Sequence, residues 1–96
     1  MVETADPLAS ATLDGRLLPF TYGVLIEALK SWHVALYELP AGVREATRKS
    51  GHLVVETVTG RRLTGDVVTE FATRRGEYLL LTGVGPLGLA SHQVAA

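Results

Sequence analysis

The sequence predicts an α+β fold, in which an amphipathic helix and a short second helix precede a strongly bent antiparallel meander that closes into a small β-barrel. Three observations carry this expectation. Residues 62–71 alternate between two faces, residues 21–39 repeat apolar positions at three- and four-residue spacing, and Gly65 sits in the middle of the alternating run.

Met1 to about Ala11 is rich in alanine and acidic residues, the composition of a flexible tail. Leu13 to Phe20 contains the turn dipeptide Asp14-Gly15 and reads either as a short hairpin or as an extended arm on the core. Leu25, Ala28, Leu29, Trp32, Ala35, Leu36 and Leu39 then form the stripe of an amphipathic helix over Thr21–Leu39. Thr21 stands as its N-cap, and Pro40 disfavours helical geometry at Leu39. Val24, Ile26, Val34 and Tyr37 leave the opposite side partly apolar, which suits either a partner subunit or a helix wedged deep in its own fold. Val43 to Ser50 makes two further helical turns, with Gly51 as the residue after the cap and Arg48-Lys49 near the negative helix end.

The meander follows. Leu53 to Val58 is rich in β-branched residues, and Thr59-Gly60-Arg61 is a tight connection. In the next strand Leu63, Gly65, Val67, Thr69 and Phe71 face the core, while Arg62, Thr64, Asp66, Val68 and Glu70 face water. Glycine inside a strand marks a bend or the close approach of another group, and a bent central strand is what a closed barrel requires. Arg74-Arg75-Gly76 is a second turn, and Tyr78 to Leu81 is a strand apolar on both faces, which implies cover on its outer side too. Gly83 to Pro86 reads as a turn, Leu87 to Ala90 as a fourth strand and Gln93 to Ala96 as a fifth.

At 96 residues, 47% apolar and 20% charged, the chain is one globular domain. It has no cysteine, which excludes disulfides and thiolate metal sites, and no apolar run of roughly 18 residues that would span a membrane. The opening residues lack the basic-then-apolar order of a signal peptide, and the cytoplasm is the expected compartment. The net charge of −1 is unevenly spread. Residues 44–76 hold Arg44, Arg48, Lys49, Arg61, Arg62, Arg74 and Arg75 against Glu45, Glu56, Asp66 and Glu70, whereas residues 1–43 and 77–96 are acidic. Such asymmetry points either to a polyanion-facing edge or to turn tips that need soluble residues. The pairs Arg61-Arg62 and Arg74-Arg75 stand at opposite ends of one strand, so they form one patch only if that strand curls or subunits assemble.

No catalytic or metal-ligating set emerges, and no cofactor is expected. His33, His52 and His92 lack the spacing of zinc motifs, and Ser91-His92, as strand neighbours, would point to opposite faces. Asp66 and Glu70 read as a solvated face, and Gly83-Val84-Gly85 lacks the strand-to-helix context of a nucleotide loop. Trp32 and Phe71 belong to the core. Tyr78, beside Arg74-Arg75, is the position where a base would stack next to a cation.

The order of helix, short-turned meander and central Gly60-Arg61-x-x-x-Gly65 resembles the Sm-like family of small barrels over about His52 to Ala96. The resemblance implies five strands and assembly into rings by edge-strand pairing. It does not carry over RNA recognition, because the family's Asp and Asn positions fall on Ala72 and Gly76 and no basic-Gly signature stands near Ala90-Ser91-His92. Three readings follow. The first is a non-enzymatic, self-associating barrel module, a homo-oligomer acting as a binding or scaffold protein. The second is a nucleic-acid binder using Arg44, Arg48, Lys49, Arg61, Arg62, Arg74, Arg75 and Tyr78, for instance as a winged helix, and the third and weakest is an enzyme.

Overall fold

The structure is a computed structural model that describes residues 4–40, 42–43, 47, 49–71 and 78–89. Its strands are β1 (Thr4–Leu13), β2 (Arg16–Leu17), β3 (Tyr22–Glu27), β4 (Trp32–Tyr37), β5 (Ser50–Thr57), β6 (Arg62–Phe71) and β7 (Tyr78–Leu89). Six of them form the cycle β1-β3-β4-β7-β6-β5 and back to β1, every pairing antiparallel, and β2 adds a short return at the end of β1. The result is a closed small β-barrel.

β1 makes the closure possible. Its first residues pair with β3 (Thr4 with Glu27, Pro7 with Val24), and its later residues pair with β5 (Ala11 with Val55, Leu13 with Leu53). A register shift between Leu8 and Ser10 separates the two halves. Such a bulge bends a strand and sharpens its twist, letting one strand serve two neighbours. The segment expected as a flexible tail is therefore a wall of the barrel. The Asp14-Gly15 dipeptide makes the hairpin form of the two alternatives, with φ of 52° and 80° as a primed turn requires.

The α+β class is corrected to all-β, since no α-helix forms over Thr21–Leu39. That segment is the β3–β4 hairpin, with Tyr22 opposite Tyr37 and Leu25 opposite Val34, closed by Ala28 N–H donating to Ser31 O at 2.8 Å. Both strands are apolar on both faces, and a run of that kind satisfies a helical spacing by accident. Nor does the second helix run to Ser50, because Ser50 opens β5; residues 44–46 and 48 lie outside the described residues. β7 continues through the expected turn at Gly83–Pro86 rather than breaking into two strands. The proposed fifth strand at Gln93–Ala96 lies outside the described residues. β6 has the bounds and facing read from its alternation, with Leu63 and Val67 buried and Asp66, Val68 and Glu70 exposed.

A six-stranded barrel is narrow, and side chains fill it. Leu25, Val34, Leu36, Leu53, Leu79 and Leu81 are at most 1% exposed along its axis. Burial of each is worth about 1.5–3 kcal/mol relative to exposure. At one end Trp32 lies across two glycines: a Cβ built on Gly83 would stand 2.2 Å from the indole and one on Gly65 2.6 Å from it. The mid-strand glycine thus answers to the close approach of a ring. Phe20 packs against Gly23 and Leu36 at the other end, where Leu39 and Val43 are also buried. Among the described residues, no helix is long and apolar enough to cross a membrane.

Candidate functional site

The outer surface of β3, β4 and β7 departs from the usual pattern of a barrel exterior. Residues whose neighbours point inward must themselves point outward, and here these form three rows across the strands. Tyr22, Tyr37 and Tyr78 make the first, Val24, Ala35 and Leu80 the second, and Ile26, His33 and Thr82 the third. Val24 and Ala35 are 8% and 1% exposed although they do not belong to the core cluster. Val68 and Val84 extend the apolar surface beyond the third row and are exposed. Glu70, opposite Leu80, and Asp66, opposite Val84, are charged residues at its margin.

The tyrosines touch in sequence across the sheet. Ring centroids are 5.6 Å apart for Tyr22 and Tyr37 and 4.9 Å apart for Tyr37 and Tyr78, with planes tilted 32° and 37°. Spacings of this size are those of favourable aromatic pairs. Burial pushes the Tyr78 phenol above the ordinary tyrosine value, and the charge and hydroxyl of Tyr37 push it the same way.

Among the described residues, the predicted basic positions do not converge. Arg61 donates to Asp6 at 2.7 Å and to Glu27 at 3.2 Å, and Arg62 lies 3.8 Å from Glu56. Both belong to the end of the barrel that Trp32 closes, and carboxylates already partner both. Lys49 is exposed just before β5, at the opposite end, where its carbonyl accepts from Thr69 N–H at 2.7 Å. Arg44, Arg48, Arg74 and Arg75 lie outside the described residues. Tyr78 is the one predicted site residue that the fold sets in an aromatic group.

A second feature lies beside Trp32. A groove of about 400 Å³ runs between the β3–β4 turn and β7, with Leu29 and Lys30 on one bank and Pro86 and Leu87 on the other. β4 pairs with β7 only as far as His33 opposite Thr82, so Val84 to Leu89 has β6 on one side and, among the described residues, no strand on the other. The Trp32 indole N–H donates to Gly85 O at 3.0 Å, and Gly85 has a φ of 90° where β7 shifts register against β6.

A polar cluster joins β5 to β6. His52 Nδ1 lies 3.0 Å from Asp66 Oδ1, and its Nε2 contacts Thr64 Oγ1. The order Thr–His–Asp has the connectivity of a nucleophilic triad. Thr64 hydroxyl, however, donates to Leu53 O at 2.9 Å, while His52 N–H donates to Asp14 Oδ1 at 2.9 Å. The group is exposed, and these bonds tie one strand and a neighbouring turn to the next. No group of three His, Cys, Asp or Glu residues is placed to hold a metal among the described residues.

No known family model, curated protein or solved structure matches this chain.

Tyr22 and Tyr37 become partners of Tyr78 only through the β3–β4 hairpin, so reading that segment as a helix hid the row. The signal was present: Tyr22 and Tyr37 are symmetric about Ala28–Ser31. That turn contains none of the glycine, proline, asparagine or aspartate that usually marks a hairpin.

Proposed function

We propose that the chain is a non-enzymatic small-barrel binding module that self-associates into a homo-oligomer through the outer face of β3, β4 and β7. The observation that carries this reading is the outward surface made by the tyrosine row, half-buried Leu80 and the exposed Val68 and Val84. A strand surface exposed to water normally alternates with polar residues, and an extended apolar surface marks an interaction site. The two-fold pairing of one such face with its copy is the commonest way for a soluble chain to cover it. Contact is face to face, across the rows of β3, β4 and β7. Kinship with Sm-like barrels belongs to this reading only in part. Gly60 and Gly65 sit at a turn and at a contact with Trp32, but six strands close the barrel and β1 stands where that family's helix would.

Light scattering tests the reading. The expected result is a solution mass that is a multiple of 10.3 kDa at micromolar concentration, falling to that of one chain in Tyr37→Glu. A wild-type monomer sinks it. Nucleic-acid binding is favoured by one observation, the tyrosine row, since rings of this kind stack bases. It predicts a labelled oligonucleotide shift at about 50 mM salt that weakens steeply as salt is added.

A further inference from the structure

We propose that the groove beside Trp32 binds an extended peptide segment of a partner protein. The peptide's backbone adds to the free side of β7 between Val84 and Leu89, one apolar side chain rests in the groove and a nearby carboxylate meets Lys30. This site is distinct from the β3–β4–β7 face proposed for self-association and does not rest on that reading.

Three independent features define the occupant. The outer side of β7 from Val84 to Leu89 has no strand partner among the described residues, and extended peptides bind such edges by completing the hydrogen-bond ladder. Pro86 lacks an N–H and Gly85 O is taken by the Trp32 indole, so the edge accepts a short segment rather than a long continuous strand. The groove, at about 400 Å³, falls within the ~300–1,000 Å³ range of ligand clefts, and Leu29, Pro86 and Leu87 with the edge of Trp32 supply apolar lining beside the polar groups of Glu27, Lys30 and Ser31. Leu29 is 86% exposed on its bank.

Charge selects the kind of peptide. The carboxylate on this side, Glu27, is held by Arg61 at 3.2 Å. Lys30, on the groove's lip, has no ion-pair partner among the described residues. Among the described residues the groove therefore presents one cation without an ion-pair partner, and an acidic residue beside the apolar one complements it. A basic peptide would find Glu27 already neutralised and Lys30 repelling it.

Trp32 is the single tryptophan of the chain, so its emission reports directly on the groove. The probe is the hexapeptide Thr-Val-Thr-Leu-Thr-Glu, acetylated and amidated at its ends. Its controls are the same peptide with lysine in place of glutamate and the same peptide N-methylated at alternate amides. The acidic peptide is expected to change the emission saturably, and both controls to bind more weakly. Lys30→Glu, at an exposed turn, is expected to weaken the acidic peptide about five- to tenfold and to favour the lysine peptide. No saturable change up to millimolar peptide overturns the proposal, as does equal binding of the N-methylated control or indifference to Lys30→Glu. A homo-oligomer that dissociates when the peptide is added or in Lys30→Glu places a second copy in the groove and overturns it too. A solution mass that neither treatment changes, with the peptide bound, supports it whether or not the chain self-associates.

Discussion

Trp32 depends on what its neighbours lack. The indole occupies the space that side chains at Gly65 and Gly83 would need, and it fastens itself to Gly85 O. Adding a single methyl at Gly83 forces the ring or the strand to move, because the built Cβ lies 2.2 Å from it. Gly83→Ala is expected to cost about 2–3 kcal/mol and Gly65→Ala somewhat less, measured as shifts in the urea midpoint. Gly88→Ala is the control, since nothing stands within 4 Å of its Cβ and its expected effect is within about 0.5 kcal/mol. Tyr78 makes a pH prediction. Its folded phenol holds its proton more tightly than the unfolded chain does, first because it is buried and second because Tyr37 is beside it. The stability it contributes is complete below the ordinary tyrosine value near 10 and is lost as pH rises through the higher folded value. Urea midpoints taken between about pH 9 and 11 should therefore fall, and fall less steeply in Tyr78→Phe.

The β3–β4 hairpin separates what local sequence expresses from what only the fold decides. β5 and β6 were legible because one face of β6 is wet and the alternation shows, and because Gly60, with a φ of 97°, marks the turn between them. β3 and β4 carry apolar residues on both faces, so their period is blurred, and four of those residues, with Ala28, Leu29 and Leu39 beside them, also satisfy a helical stripe. Leu29 discriminates between the two arrangements. In a helix it would belong to the buried stripe, whereas here it is 86% exposed at the turn. Leu29→Asn is accordingly expected to leave stability within about 0.5 kcal/mol of wild type. Val34→Pro, in the middle of β4 and fully buried, is expected to cost about 3 kcal/mol or more through a lost ladder bond and lost packing. Chemical denaturation followed by circular dichroism reads both. The candidate site was legible only at Tyr78, since its companions depend on strand pairings. The arginines were conspicuous in the sequence, but the carboxylates that occupy Arg61 and Arg62 come from other strands, which no spacing along the chain reveals.

The whole molecule hangs on β1, which touches β3 and β5 and makes a cylinder of what would otherwise be an open sheet. Removing residues 1–13 exposes the edges of both neighbours and empties the positions of Leu8, Ala11 and Leu13, all buried. That loss is expected to exceed the ~5–15 kcal/mol by which domains are stable, so the truncated chain should show no cooperative unfolding transition. Closure also has a consequence in time. Leu13 must meet Leu53, and His33 must meet Thr82, before the ring of strands is closed. Contacts so distant along the chain demand loop entropy before they return stability, and all-β domains of this kind fold over milliseconds to seconds rather than microseconds. During synthesis β1 emerges first, yet its later half waits until β5 has been made, and over that interval its edge is open to a neighbouring chain. The strand that finishes the barrel thus stands with an open edge while about forty further residues are being made.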